Sequence, residues 1–238
     1  MKHLNGFLVV DKPAGITSHD VVDRARRILG IRKIGHLGTL DPLGVGVLVL
    51  AVGQATKAVR YFVEDEKEYT TIVRLGVITD TQDLDGTVTE ERPVAVTVEA
   101  FEQALERFRG DIEQIPPMVS AKKVGGKRLY KLHRQGIEIE RKPKPVHIFE
   151  IDLRDFSPPE ATFHVRCSKG TYIRTLCADI GEALGCGGAM AWLRRTRSGF
   201  FSIEQAVTLE ALEAMSLDDI YRVLMPTERA IRKRGVRP

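Results

Sequence analysis

The sequence predicts an α+β fold. Three observations predict it. Short apolar runs with strand character alternate with amphipathic stretches that carry helix caps. The 238-residue length, with 43% hydrophobic and 29% charged residues, is that of an ordinary globular chain able to bury a sizeable core. One proline-bounded, lysine-rich segment breaks the pattern, so the expectation is one large domain carrying an insertion.

Phe7 to Val10 is a buried-strand run closed by Asp11-Lys12-Pro13-Ala14-Gly15. Thr17 or Ser18 then caps a helix whose apolar face is Val21, Val22, Ala25, Ile28 and Leu29, and Gly30 stops it. The glycine-punctuated loop Gly35 to Gly44 leads into a strand over Val45 to Val52, and a helix is expected from about Thr56 to Val63. Tyr69 to Leu75 alternates like a half-buried strand, and the acidic turn Thr79 to Gly86 gives way to another. Thr97 caps a helix that Gly110 is expected to end. Ile115 to Val146 reads as the insertion. Strands over Val146 to Phe156 and Ala161 to Cys167 precede a helix from about Tyr172 to Leu184, and the chain closes with a short helix capped by Thr208 and a basic tail.

Several classes are excluded. Four apolar residues, Phe7 to Val10, are too few for a signal peptide, and the longest uncharged run, Pro42 to Thr56, carries three glycines and falls short of a membrane helix, so a cytoplasmic chain is expected. Cys167, Cys177 and Cys186 suggest neither a disulfide framework nor a zinc site. Around Gly126-Lys127, Ala121 and Arg128 spoil a phosphate loop; around Asp83-Leu84-Asp85-Gly86, Thr81 and Arg92 spoil a calcium loop.

Charge is uneven. The net charge is +4, yet the insertion carries nine basic residues against Glu138 and Glu140. Gathered with Tyr130 and His133, such an excess suits a phosphate backbone, a solvated loop being the plain alternative. Asp41, before Pro42 in the glycine-rich loop, reads as a turn initiator or as a carboxylate presented to a closely approaching substrate. Arg174 falls in the first turn of its helix, where the dipole disfavours a cation, so an anion is expected beside it: Asp41 or an RNA phosphate.

The segments Asp11-Lys12-Pro13-x-Gly15, Gly35-His36-x-Gly38-Thr39-Leu40-Asp41-Pro42-Leu43, Lys67-x-Tyr69, Thr79-Asp80-Thr81-x-Asp83-x-Asp85-Gly86, Cys167-Ser168-Lys169-Gly170-Thr171-Tyr172-Ile173-Arg174 and Leu193-Arg194-Arg195 occur in that order. With Phe108-Arg109-Gly110-x-Ile112-x-Gln114-x-Pro116-Pro117, they resemble the bacterial tRNA pseudouridine-55 synthase family, TruB, from about Gly6 to Pro226. The resemblance implies a pseudouridine synthase fold, a large mixed and mostly antiparallel sheet flanked by helices, over residues 1–226, with an RNA-binding thumb at 117–146.

It also implies roles. Asp41 becomes the catalytic aspartate, Tyr69 the residue stacked on the target uracil, and Arg174 the partner of Asp41. His36 helps displace the base, Tyr172 and Leu193 line the pocket, Lys122, Lys123, Lys127 and Arg128 grip the T-arm, Asp83 joins the polar network and Lys12 is mainly structural. Uridine isomerisation breaks the N1 glycosidic bond and rejoins the base through C5, so no cofactor or metal is expected. Asp41 would serve as nucleophile on base or sugar, or as proton acceptor. The implied partner is tRNA, with no membrane, no obligate protein partner and a monomeric chain. Val119 and Lys122 depart from the family's usual Tyr and Leu. Residues 227–238 are expected as a basic tail with no room for the PUA domain of many members. Two rivals share the scaffold: a non-catalytic RNA-binding or RNA-folding module, and a guide-RNA-dependent synthase.

Overall fold

The computed structural model describes residues 4–118, 137 and 139–235, with the backbone alone of Lys123–Val124 and Lys127–Arg128. Its strands are β1 (Gly6–Lys12), β2 (Ile34–His36), β3 (Val45–Val52), β4 (Lys67–Leu75), β5 (Val77–Thr79), β6 (Val88–Glu91), β7 (Gly110–Gln114), β8 (Lys123–Val124), β9 (Lys127–Arg128), β10 (Lys144–Ser157), β11 (Glu160–Cys167), β12 (Gly188–Ser198), β13 (Phe201–Ser202), β14 (Val207–Thr208) and β15 (Met225–Pro226). Its α-helices are α1 (Ser18–Leu29), α2 (Val98–Glu106), α3 (Ile173–Ala183), α4 (Leu209–Ala214), α5 (Leu217–Val223) and α6 (Thr227–Lys233). The chain divides into two compact units, Met1–Tyr69 with Leu193–Pro238, and Thr70–Trp192.

In the first unit the apolar runs of β1 and β3 pair antiparallel from Gly6↔Val52 to Lys12↔Gly46. Because side chains alternate across a strand, Leu8, Val10, Leu48, Leu50 and Val52 face one way and Phe7, Val9, Val47, Val49 and Ala51 the other. Helices α1, α4 and α5 cover the first face. Phe62, Phe201 and Ala230 cover the second. Helix α1 begins as its sequence demands, with Thr17 and Asp20 forming a reciprocal capping box, and stops at Gly30 with φ 64°. Strands β14 and β12 run parallel to their neighbours β1 and β3.

In the second unit the order is β12-β4-β11-β10-β7. Antiparallel β7 and β10 pair from Gly110↔Ile148 to Gln114↔Lys144, so the expected insertion leaves and returns at one point of a strand pair. Within it β8 and β9 form a two-stranded ribbon. Lys122, Val119, Tyr130 and His133 lie outside the described residues, as do the side chains of Lys123, Lys127 and Arg128.

Four expectations need correction. Gly110 does not end a helix: α2 stops at Glu106, and Gly110, at φ 92°, opens β7. The helix expected at Thr56 to Val63 is a 3-10 helix over Gly53–Tyr61, kept tight by small Ala55 and Ala58 against the core. The strands β2 and β12 were not anticipated. The described part of the expected basic tail forms α6, seated by buried Ala230 and by the ion pair of Arg234 Nε with Asp65 Oδ1 at 2.6 Å. No helix among the described residues is long and apolar enough to cross a membrane.

Candidate active site

Asp41 lies on the loop between β2 and β3, and the backbone around it is held on nearly every carbonyl. Arg195 Nη2 donates to Gly38 O at 3.2 Å, Nη1 to Thr39 O at 3.1 Å and Nε to Val47 O at 2.7 Å. The Ser18 hydroxyl donates to Leu40 O and accepts from Leu40 N, both at 2.8 Å. Gly44 N closes a turn on Asp41 O at 3.0 Å, and Gly15 N donates to Pro42 O at 3.0 Å. Lys12 Nζ donates to Pro42 O at 3.0 Å, Gly44 O at 2.7 Å and Pro13 O at 2.8 Å. A half-buried carboxylate is thereby set on a loop whose peptides cannot easily shift, which is what a preorganised catalytic group requires.

The cations that hold the loop are buried. Lys12 is fully enclosed and Arg195 only 2% exposed. Burial pushes the Lys12 ammonium down to about 8, while the nearby negative charge of Asp41 pulls the other way and the Arg195 guanidinium adds to the lowering. Such cations are costly to bury unless hydrogen-bonded, and here each takes three carbonyls. Gly46 makes the approach of β12 possible: its φ is 98°, and a Cβ there would stand 2.3 Å from Arg195 O.

His36, last residue of β2, is half-buried, and burial lowers its imidazole below the usual histidine range, with the Arg195 charge acting in the same direction. Tyr69 on β4 is 7% exposed and Leu193 on β12 is 4% exposed. Arg194 reaches Asp11 at 2.9 Å.

In the second unit Arg174 occupies the first turn of α3 and is 4% exposed. An anion lies beside it, and it is Asp83, where Asp41 or an RNA phosphate was expected: Nη1 is 3.3 Å from Asp83 Oδ2, and the same nitrogen donates to Thr81 O at 3.1 Å. Asp83 itself is fixed by Thr81 Oγ1 on Oδ1 at 2.6 Å and by Thr79 Oγ1 on its carbonyl at 2.7 Å. The turn that presents it requires Gln82 at φ 65°, and Thr175 Oγ1 holds the Gln82 side chain at 2.9 Å. Tyr172, before α3, exchanges two hydrogen bonds through its peptide with buried Gln114, at 2.9 and 3.2 Å.

Within the first unit the structure brings Lys12, His36 and Asp41 to one loop system, and within the second it pairs Arg174 with Asp83. Sequence reasoning missed Arg195, Gln114 and Ser18 as the groups that fix these loops. Their signal was a charged or polar residue at a position where strand alternation or a helix start calls for burial.

Residues 26–173 match the model of the TruB family pseudouridylate synthase N-terminal domain, and 174–232 that of the tRNA pseudouridylate synthase B C-terminal domain. The chain is 48% identical over 231 residues to tRNA pseudouridine synthase B of Syntrophotalea carbinolica, covering 97% of this chain and 76% of the relative. To the protein of that name from Pseudomonas aeruginosa it is 47% identical over 234 residues, covering 97% and 77%. Among solved structures, a chain of a Cbf5-Nop10-Gar1 complex superposes with a TM-score of 0.77 at 30% identity, over 96% of this chain and 62% of that one. The chain spans less than two thirds of that neighbour's length. The chain belongs to the TruB family of pseudouridylate synthases.

Proposed function

We propose that this chain isomerises uridine 55 in the T-loop of tRNA to pseudouridine, with Asp41 as the catalytic carboxylate. The observation that carries the reading is the clamped loop: Lys12 and Arg195, two buried cations, hold the carbonyls on both sides of Asp41. In the reaction the N1–C1′ bond breaks, the base turns, C5 bonds to C1′, and one proton leaves C5 while N1 gains one, so the atoms balance without a redox partner. Attack on base, attack on sugar and proton abstraction all need one carboxylate in a fixed position, and the loop supplies it.

The uracil must leave the RNA stack, at a cost of a few kcal/mol offset by stacking and hydrogen bonding in the pocket. Tyr69 is assigned to that stacking, His36 to the displacement, and Tyr172 and Leu193 to the pocket lining. Arg174 is retained as a site residue on its motif, with Asp83 as the carboxylate that steadies it. Lys122, Lys123, Lys127 and Arg128 are assigned to T-arm phosphates. The chain acts as a monomer in the cytoplasm, with no cofactor and no obligate protein partner. Support comes from the names of the relatives, which are tRNA pseudouridine synthases.

The test is primer-extension mapping of pseudouridine in a tRNA transcript treated with the purified chain alone. A stop at the T-loop uridine is expected. Retained binding without product would instead indicate an RNA-folding module. Product formed only when guide RNA and partner proteins are added would favour a guide-dependent synthase.

A further inference from the structure

Three basic segments far apart in sequence converge on one end of the first unit. Residues 26–33 carry Arg26, Arg27, Arg32 and Lys33 with no acidic residue, 53–61 carry Lys57 and Arg60 with none, and 227–234 carry Arg229, Arg232, Lys233 and Arg234 against Glu228. Strand pairing brings them together. Ile34, just after the first segment, pairs with Val52, just before the second; Val52 pairs with Gly6; and Gly6 pairs with Pro226, just before the third. At about 4.8 Å per strand, Ile34 and Pro226 lie about 15 Å apart along that row. Gly53 N also donates to Lys33 O at 2.8 Å.

Asp41 is at the other end. Its loop joins β3 at Val45, seven residues before the end of the strand at Val52, so the basic end is about 25 Å from the carboxylate. Arg26 is accounted for by Asp23 and by Ile34 O, and Arg234 by Asp65. Arg32, Lys33, Arg229 and Arg232 are exposed, and their side chains make no hydrogen bond or ion pair among the described residues. Unpaired like charges collected on one end raise the local potential, and a polyanion is the ligand that relieves it.

We propose that this end is a second RNA-backbone surface, holding phosphates of the substrate tRNA outside the T-arm. It rests on the tRNA reading above. A T-arm stem-loop that occupies Asp41 has most of its length near the site, whereas whole tRNA extends far enough to meet charges 25 Å away. Because α6 is docked rather than loose, its arginines bind without first losing a tail's conformational freedom.

The test compares equilibrium binding of whole tRNA and of a T-arm stem-loop by the full chain and by an R32Q/K33Q/R229Q/R232Q variant, across a salt series. The variant is expected to bind whole tRNA about tenfold more weakly at physiological salt, with the slope of log K against log salt reduced by about 2 to 4, while the stem-loop Kd stays within about twofold. Unchanged tRNA affinity, or equal weakening for both RNAs, would overturn the proposal. The pairs R32Q/K33Q and R229Q/R232Q, measured separately, decide the matter if the fourfold variant does not fold. Absence of pseudouridine in either RNA with the parent chain would sink the functional reading instead, and the binding comparison would still stand.

Discussion

The Lys12 ammonium donates to the Gly44 carbonyl at 2.7 Å, so a residue of β1 holds the far end of the loop that carries Asp41. Replacing it by methionine deprives Pro13, Pro42 and Gly44 of a donor, and a stability loss of about 2 kcal/mol is expected. The drop in kcat should exceed the change in KM, because loop geometry matters most in the transition state. The pH dependence has a defined sign. Lys12 in the folded chain titrates near 8, below the 10.5 of a free lysine, so the unfolded chain holds more protons between these values. Its burial penalty is therefore full below about pH 8 and is relieved as pH rises to about 10.5. Urea titrations should show the parent gaining on Lys12→Met across that window; a gap that narrows as pH rises would contradict the assignment.

Gly46→Ala is expected to cost at least about 2 kcal/mol, since the backbone has φ 98° and the added Cβ would meet Arg195 O. Denaturant melts check this, and a loss below about 0.5 kcal/mol would mean that β12 has room to move.

Arg174 and Asp83 form a buried pair, so removing either charge takes a buried counter-charge from the other. Asp83→Asn and Arg174→Met should each cost about 3 kcal/mol, and the double variant clearly less than their sum. A lysine ammonium on a shorter, more flexible stem does not reproduce the placed guanidinium whose Nη1 meets both Asp83 and Thr81, so Arg174→Lys should lose activity heavily. Additive losses would show that the pair does not act as a unit.

Much of this was legible in the sequence. Strands β1 and β3 are uninterrupted apolar runs, and α1 carries its cap, its stripe and its terminating Gly30. Strand β12 was not legible because Arg194, Arg195 and Arg197 interrupt its pattern. Arg195 occupies a buried strand position as a cation because the Asp41 loop needs donors, which is tertiary information. Lys12 read as a turn lysine after a strand for the same reason. Asp41 and Arg174 stood out locally, as an aspartate before proline in a glycine-rich loop and a cation in a helix's first turn, but their roles, and Tyr69 altogether, came from the resemblance, since a lone aspartate before proline also looks like a turn. The basic end could not be read at all, because its segments meet only through strand pairing.

Turnover should survive a chelator. On a prefolded stem-loop that does not need magnesium, activity in EDTA should match that in its absence. Loss restored by a divalent metal would require a role for the ion.

Asp41→Asn keeps the shape of the side chain and the Gly44 turn on its carbonyl while removing the nucleophile and base. Single-turnover pseudouridine formation on the T-arm, measured beside RNA affinity for parent and variant, bears most directly on the role of this residue. The expected result is affinity within a few fold of the parent and no detectable product. Activity within about tenfold of the parent would remove Asp41 from the chemistry.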